Sequence, residues 1–203
     1  MDCLVVGLTG QTGAGKSTVS RLLAAGGIPV VDCDILAREA VLPGSVCLAQ
    51  LAEAFGKEIL LPDGSLDRAK TAKIAFSDPQ KLKTLNRITH QAILVLLEQR
   101  LQGLREKGER LAAVDAPTLF ESGADRFCGV VVSVIAPKEL RRRRILDRDG
   151  LTPEEAQRRM GAQQPDDFYT SRSDFVLVND GTQKDLAEKT GRLIQILQEK
   201  AGI

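Results

Sequence analysis

Short runs of apolar residues punctuate the chain, and between them apolar positions recur at the three-to-four-residue spacing of amphipathic helices. Leu4-Val5-Val6-Gly7-Leu8, Ile28-Pro29-Val30-Val31, Leu111 to Val114, Val130 to Ile135 and Phe175 to Val178 are the strand candidates. They are continuously apolar rather than alternating, which is the pattern of strands buried on both faces. Helical patterns cover 16–25, 35–41, 46–55, 66–76, 79–107, 138–148, 153–163 and 184–200, the first stopped by Gly26-Gly27. Strands alternating with helices predict an α/β fold, a parallel sheet flanked by helices.

Two regions break the alternation. Residues 43–107 hold several helical patterns and no strand pattern, which predicts a helical insertion beside the sheet. Residues 149–172 are rich in Gly, Pro, Gln and charge and are expected to form a mobile lid. The segments 1–42, 108–148 and 173–203 then make the core of a single domain spanning 1–203.

Composition narrows the partners. Lys and Arg number 28 against 27 Asp and Glu, a net charge of +1, without the basic excess of a nucleic-acid binder. Aromatics are 3% with no Trp, too few for a base-stacking platform. No apolar stretch approaches the roughly 20 residues needed to cross a bilayer. Met1-Asp2-Cys3-Leu4 lacks a basic leader and a cleavage site, and the four cysteines form no C-x-x-C pair. A soluble, cytoplasmic protein with reduced thiols is expected.

The first apolar run leads into Gly10-Gln11-Thr12-Gly13-Ala14-Gly15-Lys16-Ser17, which matches G-x-x-x-x-G-K-[ST] between a strand and a helix. Glycines let the backbone curl so that successive N–H groups face one anion, and the helix N-terminus adds its positive end. Lys16 brings charge to the β- and γ-phosphates, Ser17 can ligate Mg²⁺, and Thr18 can assist at the α-phosphate. The motif reports a nucleoside triphosphate but not the reaction. A GTP switch needs N-K-x-D, which is absent, and Leu111 to Asp115 is followed by Ala116-Pro117 rather than the Glu of an ATPase motor.

Small-molecule kinases remain, and Asp32-Cys33-Asp34 at the end of the second strand supplies the acidic pair they need. A carboxylate there accepts the acceptor's proton or helps hold metal; capping of the next helix by Asp34 is the competing reading. Residues 138–148 carry Lys138, Arg141, Arg142, Arg143, Arg144 and Arg148 against Glu139 and Asp147. Arg144 and Arg148, four apart on one face, suit phosphate oxygens, and the others suit a solvated face.

With these pieces in one order, the chain resembles the dephospho-CoA kinase family over nearly its whole length. The resemblance lies in the phosphate loop, Asp32-Cys33-Asp34 followed by Ala37-Arg38, Asp63 to Arg68, Leu85 to His90, Asp115 to Glu121, Arg144, Arg148-Asp149, Arg159, Gln163, Asp174 and Asn179-Asp180-Gly181. It implies a P-loop kinase core with 43–107 on the CoA side. ATP, with Mg²⁺, would phosphorylate the ribose 3′-hydroxyl of dephospho-CoA. Asp34 would be the general base, and Lys16, Arg144 and Arg148 would steady the transferring group. Gly10, Gly13, Ala14, Gly15, Ser17, Thr18 and Asn179 would hold ATP. Asp32, His90, Asp115, Leu119, Phe120, Glu121 and Arg159 would face the acceptor.

Three positions depart from the family pattern: Gln91 where proline is common, Tyr169 where lysine is frequent, and Val178 where Asp is frequent. His90, the single histidine, is read as a structural or acceptor-side residue rather than a chemical one. Two rival readings are a nucleotide monophosphate kinase, which would lack the 67–90 segments, and an ATP-dependent switch, which would not need Asp32 and Asp34.

Overall fold

A computed structural model describes residues 3–203. The reading of the N-terminus as leaderless falls partly on Met1 and Asp2, outside the described residues. In chain order the elements are β1 (Leu4–Gly10), α1 (Lys16–Ala25), β2 (Val30–Asp32), α2 (Cys33–Glu39), α3 (Val46–Phe55), α4 (Arg68–Phe76), α5 (Pro79–Glu106), β3 (Leu111–Asp115), α6 (Leu119–Ser122), β4 (Val130–Ile135), α7 (Lys138–Asp149), α8 (Pro153–Gly161), α9 (Asp166–Thr170), β5 (Phe175–Val178) and α10 (Gln183–Ala201). The strands form one sheet in the order β2-β3-β1-β4-β5. β1 pairs in parallel with β3 and with β4, and β4 with β5.

Packing divides the chain into two compact units, one running to Val31 and resuming at Leu101–Ile203, the other Asp32–Arg100. The sequence placed the edges of the insertion at 43 and 107. In the first unit, Val6 and Leu8 of β1, Ala113 of β3 and Val132 and Val134 of β4 meet Val19 and Leu23 of α1 and Leu186, Leu193 and Leu197 of α10. On the opposite face, a Cβ on Gly7 would stand 2.8 Å from Leu119 and 2.9 Å from the Cys128 sulfur. The missing side chain is what lets α6 lie on β1. Both faces of β1 are therefore covered, as its unbroken apolar run requires.

The second unit packs Cys47, Leu51, Phe55, Ile59 and Ile88 around α3 and α5. Ser45 caps α3 through the Leu48 N–H (3.1 Å), and Asp67 caps α4 through the Lys70 N–H (2.9 Å). The expected pattern at 35–41 begins two residues early, because Asp32 and not Asp34 is the cap. The Asp32 carboxylate accepts the N–H groups of Asp34 (2.7 Å) and Ile35 (3.3 Å) and so draws Cys33 and Asp34 into the first turn. Within 149–172 the helical pattern at 153–163 forms α8, opened by a capping box at Thr152 and Glu155, and the short α9, which no pattern predicted, follows it.

Removing the fully buried Leu23 side chain (Leu23→Ala) is expected to cost about 2–5 kcal/mol in denaturant unfolding. Val46→Ala, at a residue 75% exposed, should stay within about 0.5 kcal/mol of wild type. Equal effects would contradict the packing.

Candidate functional site

The loop between β1 and α1 is pressed against its surroundings backbone to backbone. Gly13 and Gly15 have φ of 76° and 104°, values that L side chains rarely adopt. A Cβ on Gly13 would stand 2.7 Å from the Arg141 carbonyl oxygen. One on Gly10 would run into the Val134 carbonyl, and one on Gly15 into the Asn179 amide. Asn179 is buried and donates its Nδ2 to the Ala14 carbonyl (2.7 Å). Arg144 reaches the Gly13 carbonyl (3.4 Å) and the Asn179 side-chain oxygen (3.3 Å). No side chain caps the start of α1, so its positive end opens into the loop.

Lys16 forms an ion pair with the Asp115 carboxylate at the end of β3, the strand beside β1. Ser17 is exposed and Thr18 half-buried in the first turn of α1. The segment between α8 and α9 is tied to the first half of the loop. The Thr12 N–H donates to the Gln163 Oε1 (3.0 Å), and Gln11 Nε2 donates to the Gln164 carbonyl (3.0 Å). Arg148 and Arg159 both bind Asp149. Arg144 and Arg148 thus share a helix face but not a partner.

Sequence reasoning passed over Arg141, which is buried and donates its Nε to the Ala136 carbonyl (3.1 Å). The available signal was Ile145, four residues on and fully buried on the same face. Beside α6, Phe120 meets Phe168 edge-to-face at 5.7 Å, and the Arg172 guanidinium lies 4.1 Å from the Phe168 ring centre. Phe168 and Arg172 were also missed. Leu119 is fully buried, so its side chain supports the sheet rather than lining a surface. Burial pushes the Glu121 carboxyl up, partly offset by a backbone hydrogen bond and by Arg172. Tyr169, in the position where lysine was expected, is buried in the aromatic cluster, and that burial pushes its phenol up to about 12.

In the second unit, Asp34 is exposed in the first turn of α2 and Asp32 is engaged as the cap. His90 is half-buried within α5, and burial pushes its imidazole pKa below the ordinary 6.5. Gln91 continues α5 without a break, where a proline would remove a backbone donor from the helix. Val178 is exposed on β5, and its carbonyl accepts from Lys189 (2.7 Å).

A family model described as dephospho-CoA kinase matches residues 4–185. A dephospho-CoA kinase of Anaeromyxobacter dehalogenans is 43% identical over 198 residues, covering 98% of this chain and 94% of that protein. The chain belongs to the dephospho-CoA kinase family. A dephospho-CoA kinase of rice, Oryza sativa, is 38% identical over 96% of this chain and 85% of its own length. The solved dephospho-CoA kinase of Campylobacter jejuni superposes with a TM-score of 0.73 at 26% identity, covering 97% of this chain and 98% of its own. The Thermus thermophilus protein TT1252 superposes with 0.82 at 35%, covering 97% and 99%. A shikimate kinase of Acinetobacter baumannii, 20% identical with a TM-score of 0.54, shares the fold. The expected P-loop kinase architecture is therefore the observed one.

Two measurements check this site. Gly13→Ala should weaken ATP binding by calorimetry about tenfold or more, the equivalent of 1–3 kcal/mol of backbone strain; unchanged affinity would contradict the close approach. The imidazole NMR signal of the single histidine should titrate with a midpoint below 6.5. The unfolded state then binds the extra proton, so His90 withdraws stability as pH falls through that window. A midpoint at or above 6.5 would contradict its burial.

Proposed function

We propose that the chain transfers the γ-phosphoryl group of ATP to the ribose 3′-hydroxyl of dephospho-CoA, giving CoA and ADP. The observation that carries this reading is the loop, with glycine at 10, 13 and 15, running from β1 into the uncapped start of α1, in a chain of this family. In this reading the loop N–H groups receive the phosphates, and Lys16 exchanges the Asp115 carboxylate for β- and γ-phosphate oxygens. Gly10, Gly13, Ala14, Gly15 and Thr18 give the cradle its shape. Asn179 braces the cradle, and Arg144 and Arg148 bring guanidinium groups to the triphosphate from α7; Arg159, read from the sequence as acceptor-facing, shares Asp149 with Arg148 and joins them from α8.

Asp34 takes the proton of the 3′-hydroxyl as its oxygen bonds to the γ-phosphorus and the bond from that phosphorus to the β–γ bridging oxygen breaks. Asp32, by capping α2, fixes the turn that carries Asp34. His90, Phe120 and Glu121 form the acceptor side, with Leu119 as buried support. Mg²⁺ suits the oxygen donors at hand, the Ser17 hydroxyl and the Asp115 carboxylate; carried in with ATP, it neutralises phosphate charge. In-line positioning and fixed charge supply most of the rate. Among the described residues no helix is long and apolar enough to cross a membrane.

ADP release should be fast with dephospho-CoA and near background with adenosine, AMP or phosphopantetheine. Lys16→Ala should lose ATP affinity and rate together. Asp34→Asn should keep ATP affinity while transfer falls by about 10²–10⁴. Activity mainly on AMP would overturn the acceptor assignment, and near-normal transfer by Asp34→Asn would remove Asp34 as the base.

A further inference from the structure

Asp149 ends α7 at a corner, where Gly150 adopts a left-handed conformation and the chain turns into the capping box of α8. Its carboxylate receives hydrogen bonds from two arginines on two different helices. Arg148 donates Nε to Oδ1 (2.6 Å) and Nη2 to Oδ2 (2.8 Å), and Arg159 donates Nη1 to Oδ2 (2.7 Å). Each arginine side chain is about half exposed. Untied, such long side chains would each sample many rotamers. The mechanism above gives Asp149 no part.

We propose that Asp149 is a positioning residue: one carboxylate that ties Arg148 and Arg159 at the α7–α8 corner, so that both guanidinium groups meet the triphosphate as a single fixed fork. This rests on the reading of the two arginines as phosphate ligands. An ordinary surface ion pair couples two side chains weakly. Here a bidentate contact and a third charge-assisted bond converge on one group. The donors spent on Asp149 leave Arg148 Nη1 and Arg159 Nε and Nη2 for phosphate oxygens. The three side chains together keep a net positive charge, because one carboxylate neutralises only one of two guanidinium groups. Arg148 also holds the Asp149 carboxyl below the usual range, so the tie stays ionised across the pH range of the assay.

The test is steady-state kinetics of the full chain with ATP varied, comparing Asp149→Asn, Asp149→Glu, Arg148→Lys, Arg159→Lys and the Asp149→Asn/Arg159→Lys pair. Melting temperatures are measured alongside. Asp149→Asn should lower kcat/KM for ATP about tenfold, the loss expected for a charge-assisted bond, through a raised KM and a lowered kcat, with the melting temperature kept. Asp149→Glu should recover most of that loss. The double variant should be little worse than Arg159→Lys alone, because the residues act as one unit. Unchanged kinetics in Asp149→Asn, with both arginine variants impaired, would overturn the positioning role and leave the proposed function standing. A lowered KM for ATP would overturn it as well, showing Asp149 to be a competitor of phosphate. Unimpaired arginine variants would overturn the positioning role together with the reading of the two arginines as phosphate ligands, while transfer to dephospho-CoA would still stand on its own assay.

Discussion

Backbone meets backbone at residues 10–15, and the rest of the site depends on that contact. Gly10 lies on the Val134 carbonyl, Gly13 on the Arg141 carbonyl and Gly15 on the Asn179 amide. A methyl group at any of the three would have to displace a peptide unit or a buried amide. In return the loop is held from several sides, by Asn179, Arg144 and the 163–164 segment. Successive N–H groups at an uncapped helix start are the general chemistry of an anion site. The sheet order serves the same end. β1 sits in the middle, so the loop leaves the sheet between β3, which brings Asp115, and β4, which leads to α7 and its arginines.

Charge compensation within the protein is the second constraint. The chain carries almost no net charge, and the cations proposed to meet phosphate have acceptors within the protein. Lys16 has Asp115, Arg148 and Arg159 have Asp149, and Arg144 has the Gly13 and Asn179 oxygens. Such pairs keep the site from carrying several uncompensated charges, which would repel one another and loosen the fold. In the proposed reading a polyphosphate gains by replacing the Asp115 carboxylate at Lys16 and by meeting the arginine donors that Asp149 leaves free, rather than by neutralising a basic surface. This is why a near-neutral chain is compatible with two highly anionic substrates.

Much of this was legible in the sequence. The five strands, the long α5 and the phosphate loop follow from apolar runs, helical spacing and fixed glycines, all of them local signals. What escaped was short or distant. α6 and α9 span four and five residues, too few for a period to show. The identity of the α2 cap turned on which of two aspartates, two positions apart, accepts the free N–H groups, and the extended backbone at Asp32 decides it. The Gln11–Gln164 tie and the stack of Arg172 on Phe168 beside Phe120 are tertiary contacts to which no spacing rule points. Among the arginines of α7, only the burial of one face separates Arg141 from its solvated neighbours.

The account stands or falls on where the phosphoryl group goes. ³¹P NMR of a reaction containing ATP, Mg²⁺ and dephospho-CoA follows every phosphorus at once. The account predicts one new phosphomonoester signal, that of a ribose 3′-phosphate, growing in step with ADP while inorganic phosphate stays at background. ADP appearing with an equal amount of inorganic phosphate, or a phosphomonoester at any other hydroxyl, would contradict it.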